Sequence, residues 1–108
     1  MKTLKFKPHL AEMIRTGEKT STWRLFDDKN LQEGDDVARC ENGNDEPFAQ
    51  ARITKIIEKP LSSLTEEDWI GHERFATEEE MYATYRTYYG SAVNPNTLVK
   101  IIRFLIKL

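Results

Sequence analysis

The chain has 108 residues, of which 39% are hydrophobic and 31% charged, with a formal charge of −2. That length suits one domain, residues 1–108. No apolar run approaches the roughly 20 residues of a membrane span or the about 7–15 of a secretory signal, and the acidic total excludes nonspecific coating of nucleic acid, so a cytoplasmic globular protein is expected.

In chain order, residues 2–7 (KTLKFK) alternate with Leu4 and Phe6 on one face, the period-two pattern of a half-buried strand. Pro8 suits a first helical turn, and Leu10, Met13 and Ile14 recur at helical spacing until Gly17, which can take the left-handed conformation that closes a helix. Residues 20–26 (TSTWRLF) predict a second strand, with DDKN as the turn that follows. Gly34 introduces a third strand over 36–41, Asn42-Gly43 is a strong hairpin signal, and 47–58 supplies a long fourth strand suited to bending around a barrel.

Thr65 is predicted to open a helix, with Asp68 three residues on and Leu64 and Trp69 in the staple positions. Thr77 with Glu80 repeats the capping pattern, and Met81, Tyr82, Tyr85, Tyr88 and Tyr89 form an apolar stripe ending at Gly90. Residues 97–108 are β-branched and apolar on both faces, as in a central strand. The order β-α-β-β-β-α-α-β implies a small α+β barrel-like domain with mostly antiparallel pairing.

Cys40 is the only cysteine, and the two histidines, His9 and His72, stand far apart. No intrachain disulfide and no zinc-ligand spacing exist, so neither a metal nor a cofactor is expected. Both histidines are expected at the surface or in loops. Charge is uneven: residues 1–24 carry a net +4, leaving −6 for the remainder. This local field favours a phosphate-bearing or nucleotide ligand.

Within that basic segment, Gly17-x-Lys19-x-x-x-x-Arg24, with Thr22 three residues after the lysine, resembles the fingerprint of the ASCH family, small β-barrels related to the PUA domain and associated with RNA. The resemblance extends through Gly34-Asp35, Leu64-Thr65-Glu66 and Tyr89-Gly90. It implies a mostly antiparallel PUA-like barrel with flanking helices. Among ASCH proteins the chain looks most like the small single-domain N4-acetylcytidine amidohydrolases, whose lysine, threonine and glutamate would correspond to Lys19, Thr22 and Glu73. Glu66, Glu67 and Asp68 are rivals for the third position.

Amide hydrolysis needs a nucleophile, a base, a donor to the leaving nitrogen and stabilisation of the oxyanion. Thr22 offers the hydroxyl, and Lys19 could be its base if burial or Arg24 lowers its pKa. Glu73 would then be partly protonated, or would donate to the leaving N4 from the other side of the substrate. Lys19 and Thr22 differ in strand parity, which is resolved if Lys19 lies in the turn and swings toward the face of Thr20, Thr22 and Arg24.

Gly17, Trp23 and Arg24 are the candidate substrate-binding positions: Arg24 suits a pyrimidine O2 or a phosphate, and Trp23, like Trp69, Tyr82 and Tyr85, could stack on a base or pack in the core. The implied partner is a modified pyrimidine nucleoside or RNA. Alternative readings are a non-catalytic RNA-binding module and a metal-independent ribonuclease.

Overall fold

A computed structural model describes residues 2–27, 29–41 and 47–107, with residues 38–41 described by their backbone alone. Five strands and two α-helices are laid out as β1 (Lys2–Lys5), α1 (Pro8–Thr16), β2 (Ser21–Leu25), β3 (Asp36–Glu41), β4 (Pro47–Pro60), α2 (Glu78–Tyr89) and β5 (Leu98–Lys107). The sheet order is β1-β3-β4-β5-β2, with β1 parallel to β3 and every other pair antiparallel. The sheet curls into a half-barrel. β4 runs from Pro47 to Pro60, and its register against β5 slips between Ile53 and Lys55, a local irregularity of the kind that bends long strands.

The two helices cover opposite faces. Leu10, Ala11 and Ile14 of α1 pack with Leu4, Phe6, Val37, Ile53, Ile102 and Phe104, whereas Met81 and Tyr85 of α2 pack with Trp23, Leu25, Val99 and Ile101. β5 is therefore apolar on both sides for a simple reason: its alternate residues meet different helices. The same alternation on β2 sends Trp23 and Leu25 toward α2 and leaves Thr22 and Arg24 on the other face. No helix among the described residues is long and apolar enough to cross a membrane.

Two expectations change. The helix predicted from Thr65 is only a 3-10 turn over Glu66–Trp69, although the Asp68 carboxylate does accept from the Thr65 amide at 2.8 Å. Gly71, with φ 77°, follows almost at once, and the apolar positions Leu64 and Trp69 give no stripe for a longer helix to bury. β1 stops at Lys5, because Pro8 starts α1 and Lys7 is already its extended N-cap. The Asn42-Gly43 hairpin lies outside the described residues.

Candidate active site

Position 19 is fixed by the end of α1. Gly17 adopts φ 86° and its amide donates to the Ile14 carbonyl, after which the Lys19 amide bonds Met13 O at 3.1 Å and folds the chain back along the helix. Lys19 is consequently only 2% exposed before β2 begins. Its ammonium donates to Glu73 Oε1, across 54 residues of sequence.

Glu73 is delivered by the segment that follows the 3-10 turn. The Gly71 carbonyl accepts from the amides of Thr20 and Ser21 at 2.8 and 3.1 Å, and Ser21 Oγ donates to Ile70 O at 3.3 Å. These bonds clamp residues 70–73 over the start of β2. The clamp sets Glu73 beside Lys19.

His72 is not the surface residue that its sequence context suggests. It is 7% exposed and stacked on Trp23, with ring centroids 4.0 Å apart. Its Nδ1 lies 2.7 Å from the Glu73 carbonyl oxygen, which can only accept, so Nδ1 carries the proton; Nε2 is left to accept from the Tyr85 hydroxyl at 3.4 Å. Burial, aided by the Lys19 charge, lowers its pKa to about 4, and the ring is neutral at pH 7. Burial also raises the Tyr85 hydroxyl well above its ordinary range, which keeps it a donor.

The Lys19–Glu73 contact has a defined charge balance. Burial lowers the Lys19 pKa, against the attraction of Glu73 and with a small contribution from Arg24. For Glu73, burial works to raise the value, but the attraction of His72 once that ring is protonated at acid pH, the Lys19 charge and the Lys19 hydrogen bond outweigh it and hold the carboxyl below the usual range. A partly protonated glutamate, one of the two sequence expectations, is therefore corrected to a carboxylate held ionised by the ammonium it touches.

A cavity of about 360 Å³ opens beside this pair. Thr22, Trp23, Arg24, His72 and Glu73 form one side, and Lys5, Phe6, Lys7 and Leu10 another, with Tyr85, Tyr88 and Tyr89 from α2 completing it. It lies at the seam between the two edge strands, β1 and β2, where Arg24 Nη2 donates to the Lys5 carbonyl at 2.9 Å and the guanidinium sits 5.0 Å over the Phe6 ring.

Residues 2–106 match the family model of the ASCH domain. The chain belongs to the ASCH family. No curated protein sequence matches it. Among solved structures, this ASCH domain is similar to a protein from Enterococcus faecalis V583 (20% identity, TM-score 0.75, covering 91% of this chain and 69% of that one). It is also similar to the ASCH domain from Lactobacillus crispatus JV V101 (15%, 0.72, 97% and 79%) and to ASCH from Zymomonas mobilis (17%, 0.63, 95% and 65%). At these identities the likeness is one of fold.

The other candidate residues of the ASCH domain fall into place around the cavity or away from it. Glu66 and Glu67 are exposed, and Asp68 is buried in bonds to Lys59 and Thr65; none of the three lines the cavity. Gly17 serves as the cap of α1 and borders a separate hollow with Thr20 and Phe104; Lys19 borders that hollow too and does not line the cavity, meeting it only through its contact with Glu73. Trp23 is buried between His72 and Trp69, whose ring centroid is 4.5 Å away, and only borders the cavity. Tyr82 lies outside the cavity, with Arg86 over its ring.

The sequence pointed to Lys5 and Lys7, with Arg24, only as cations of the RNA-binding alternative, and it missed Phe6, Leu10, Tyr88 and Tyr89 as cavity residues. The only available signal was the +4 charge of the first 24 residues.

The neutral buried His72 has a measurable consequence. Its folded pKa of about 4 lies below the unfolded value of about 6.5, so the unfolded chain binds the proton first and stability falls as pH drops through that interval. The His72 contribution is whole above about pH 6.5 and declines by about 3 kcal/mol toward pH 4. Urea denaturation of the native ASCH domain and the His72→Asn variant between those limits checks it: the variant, which keeps a donor for the Glu73 carbonyl, shows a flatter profile above the carboxylate range. Parallel profiles would show that His72 is not held neutral.

Proposed function

We propose that this ASCH domain is an amidohydrolase that removes the acetyl group from N4-acetylcytidine or a related N-acylated pyrimidine nucleoside. The observation that carries the reading is the buried Lys19–Glu73 contact beside a cavity that Glu73 and Thr22 both line. A cavity of about 360 Å³ with aromatic walls is of a size for one small ligand.

With Glu73 ionised, the chemistry runs in a different direction from a lysine base. The Thr22 hydroxyl gives its proton to the Glu73 carboxylate as its oxygen attacks the acetyl carbonyl carbon. Lys19, which touches Glu73 and does not line the cavity, acts through that carboxylate, orienting it and offsetting at one remove the negative charge that develops as the oxygen attacks. Collapse breaks the C–N4 bond, and the proton held by Glu73 passes to the leaving nitrogen, freeing cytidine and leaving an acetyl ester on Thr22. Water, deprotonated by the same carboxylate, then hydrolyses the ester to acetate and restores the hydroxyl.

The assay is cytidine release from N4-acetylcytidine, followed chromatographically. The parent protein turns the nucleoside over, Glu73→Gln lowers kcat by about 10²–10⁴-fold, and Thr22→Val removes turnover. Undiminished release by Glu73→Gln would rule this mechanism out, and no release by the parent would remove the activity itself. A non-catalytic RNA-binding module is the second reading, favoured by the cations Lys5, Lys7 and Arg24 around the cavity; it predicts RNA affinity without cytidine release.

A further inference from the structure

Proton transfer from Thr22 makes a demand on Glu73 that its charge alone does not meet: one carboxylate oxygen must face the hydroxyl. A glutamate side chain turns about several single bonds, and a general base works only within hydrogen-bond reach of the proton it takes. Lys19 supplies one restraint, and it falls on Oε1. His72 supplies a second. Its Nδ1–H donates to the Glu73 carbonyl at 2.7 Å, and the same nitrogen lies 3.3 Å from Oε1, so one ring atom faces both the backbone and the carboxylate of Glu73.

The ring is itself firmly held. One face lies on Trp23, with centroids 4.0 Å apart and planes 21° from parallel, and the Trp69 ring meets it edge to face at 5.8 Å. The Tyr85 hydroxyl donates to Nε2, which fixes the proton on Nδ1. With its side chain 1% exposed, water does not compete for that donor.

Neutrality suits the task. The groups that face the ring are the Lys19 ammonium, the Glu73 carboxylate and, from α2, the Tyr85 hydroxyl. An imidazolium there would add a second positive charge against a carboxylate that Lys19 already stabilises, and would make it a weaker base. A ring whose pKa is about 4 orients Glu73 at neutral pH without that penalty.

We infer that His72 is a positioning residue of this site: together with Lys19 it anchors Glu73 through Oε1, which leaves Oε2 turned to the cavity as the oxygen that takes the Thr22 proton. This role in turnover rests on the hydrolase reading, whereas the anchoring is a property of the folded protein. His72 borders the cavity, but both of its nitrogens are engaged, so it acts through the carboxylate and not on the substrate.

A measurement on the full chain tests the anchoring without turnover. In isotopically labelled parent protein, ring proton–nitrogen spectra find the His72 proton on Nδ1, and its resonance shifts in Glu73→Gln, because one of the oxygens it faces loses its charge. A proton on Nε2, or a resonance that the substitution leaves in place, would overturn the inference.

The cytidine-release assay tests the role. His72→Phe keeps a ring against Trp23 but has no donor, and it lowers kcat about 10²-fold with KM within about twofold, the scale of a misplaced catalytic group. His72→Asn sets an amide donor where Nδ1 was and loses less than about tenfold. His72→Gln, whose amide reaches the position of Nε2 instead, falls as far as His72→Phe. Equal losses in all three variants, or a loss carried by KM, would make His72 a packing residue and count against positioning. A parent that releases no cytidine yet shows the Glu73-dependent ring resonance loses the hydrolase reading and keeps the hold of His72 on Glu73.

Discussion

Lys19→Met lowers folding stability by about 3–5 kcal/mol, whereas Lys19→Met combined with Glu73→Leu restores most or all of it. The single substitution leaves a carboxylate against apolar neighbours with its cation gone; the double one removes both charges and substitutes apolar volume. Desolvating two ions consumes much of what their attraction returns, so a buried pair of this kind is seldom kept for stability alone. Lys19 is almost wholly enclosed and the Glu73 side chain is 22% exposed, so solvent screens the contact little.

The comparison of the two variants separates structure from chemistry. A double variant that is as stable as the parent but releases no cytidine places the pair among the catalytic groups. If Lys19→Met unfolds at the same urea concentration as the parent, the ammonium is not confined as described. The pH dependence has a stated sign: the Glu73 carboxyl is held below its ordinary range, so its share of stability is present above the unfolded value of about 4.3 and disappears as pH falls through the folded one.

Gly71→Ala is the second large effect. The residue has φ 77°, and a Cβ placed there would lie 2.0 Å from Thr20 Oγ1 and 3.3 Å from Thr20 Cβ. The left-handed backbone contributes about 1–2 kcal/mol of strain and the overlap a further 1–3, so a fall of about 2–5 kcal/mol is expected, or a Tm lower by roughly 10–20 °C. Thr20→Ala in the same chain removes the hydroxyl and recovers the steric part but not the backbone part. A Gly71→Ala protein with the parent's Tm would contradict the close approach. The same variant tests the site, since Gly71 O holds Thr20 and Ser21, and moving it separates Glu73 from Lys19.

The pieces of the fold that were legible in the sequence are those written in local patterns. Gly17 after Ile14 marked the end of α1, Thr77 and Glu80 marked the start of α2, where the Glu80 amide does donate to Thr77 Oγ1 at 3.1 Å, and the unbroken apolar tail marked β5 as central. Thr65 and Asp68 misled because a cap specifies where a helix can begin but not how far it continues. The parallel pairing of β1 with β3 has no local signature at all, since α1 and β2, which lies at the opposite edge of the sheet, both intervene between the two strands.

The site divides in the same way. Lys19, Thr22 and Arg24 lie within one short motif, but only Thr22 and Arg24 line the cavity, and Lys19 is joined to it through Glu73. Glu73 could be chosen over Glu66, Glu67 and Asp68 only once Gly71 was seen bonded to Thr20, because four acidic residues within eight positions look alike in one dimension. His72 looked like an ordinary loop histidine; what buries it is Trp23, 49 positions earlier, together with Tyr85 from the following helix.

The gap between β1 and β2 gives the half-barrel a missing stave. At that edge the wall is completed by an arginine side chain reaching across to a single carbonyl, not by a ladder of backbone bonds. A molecule that lodged there would touch both margins at once and act as a keystone, so that filling the cavity and stiffening the whole curved wall become the same event.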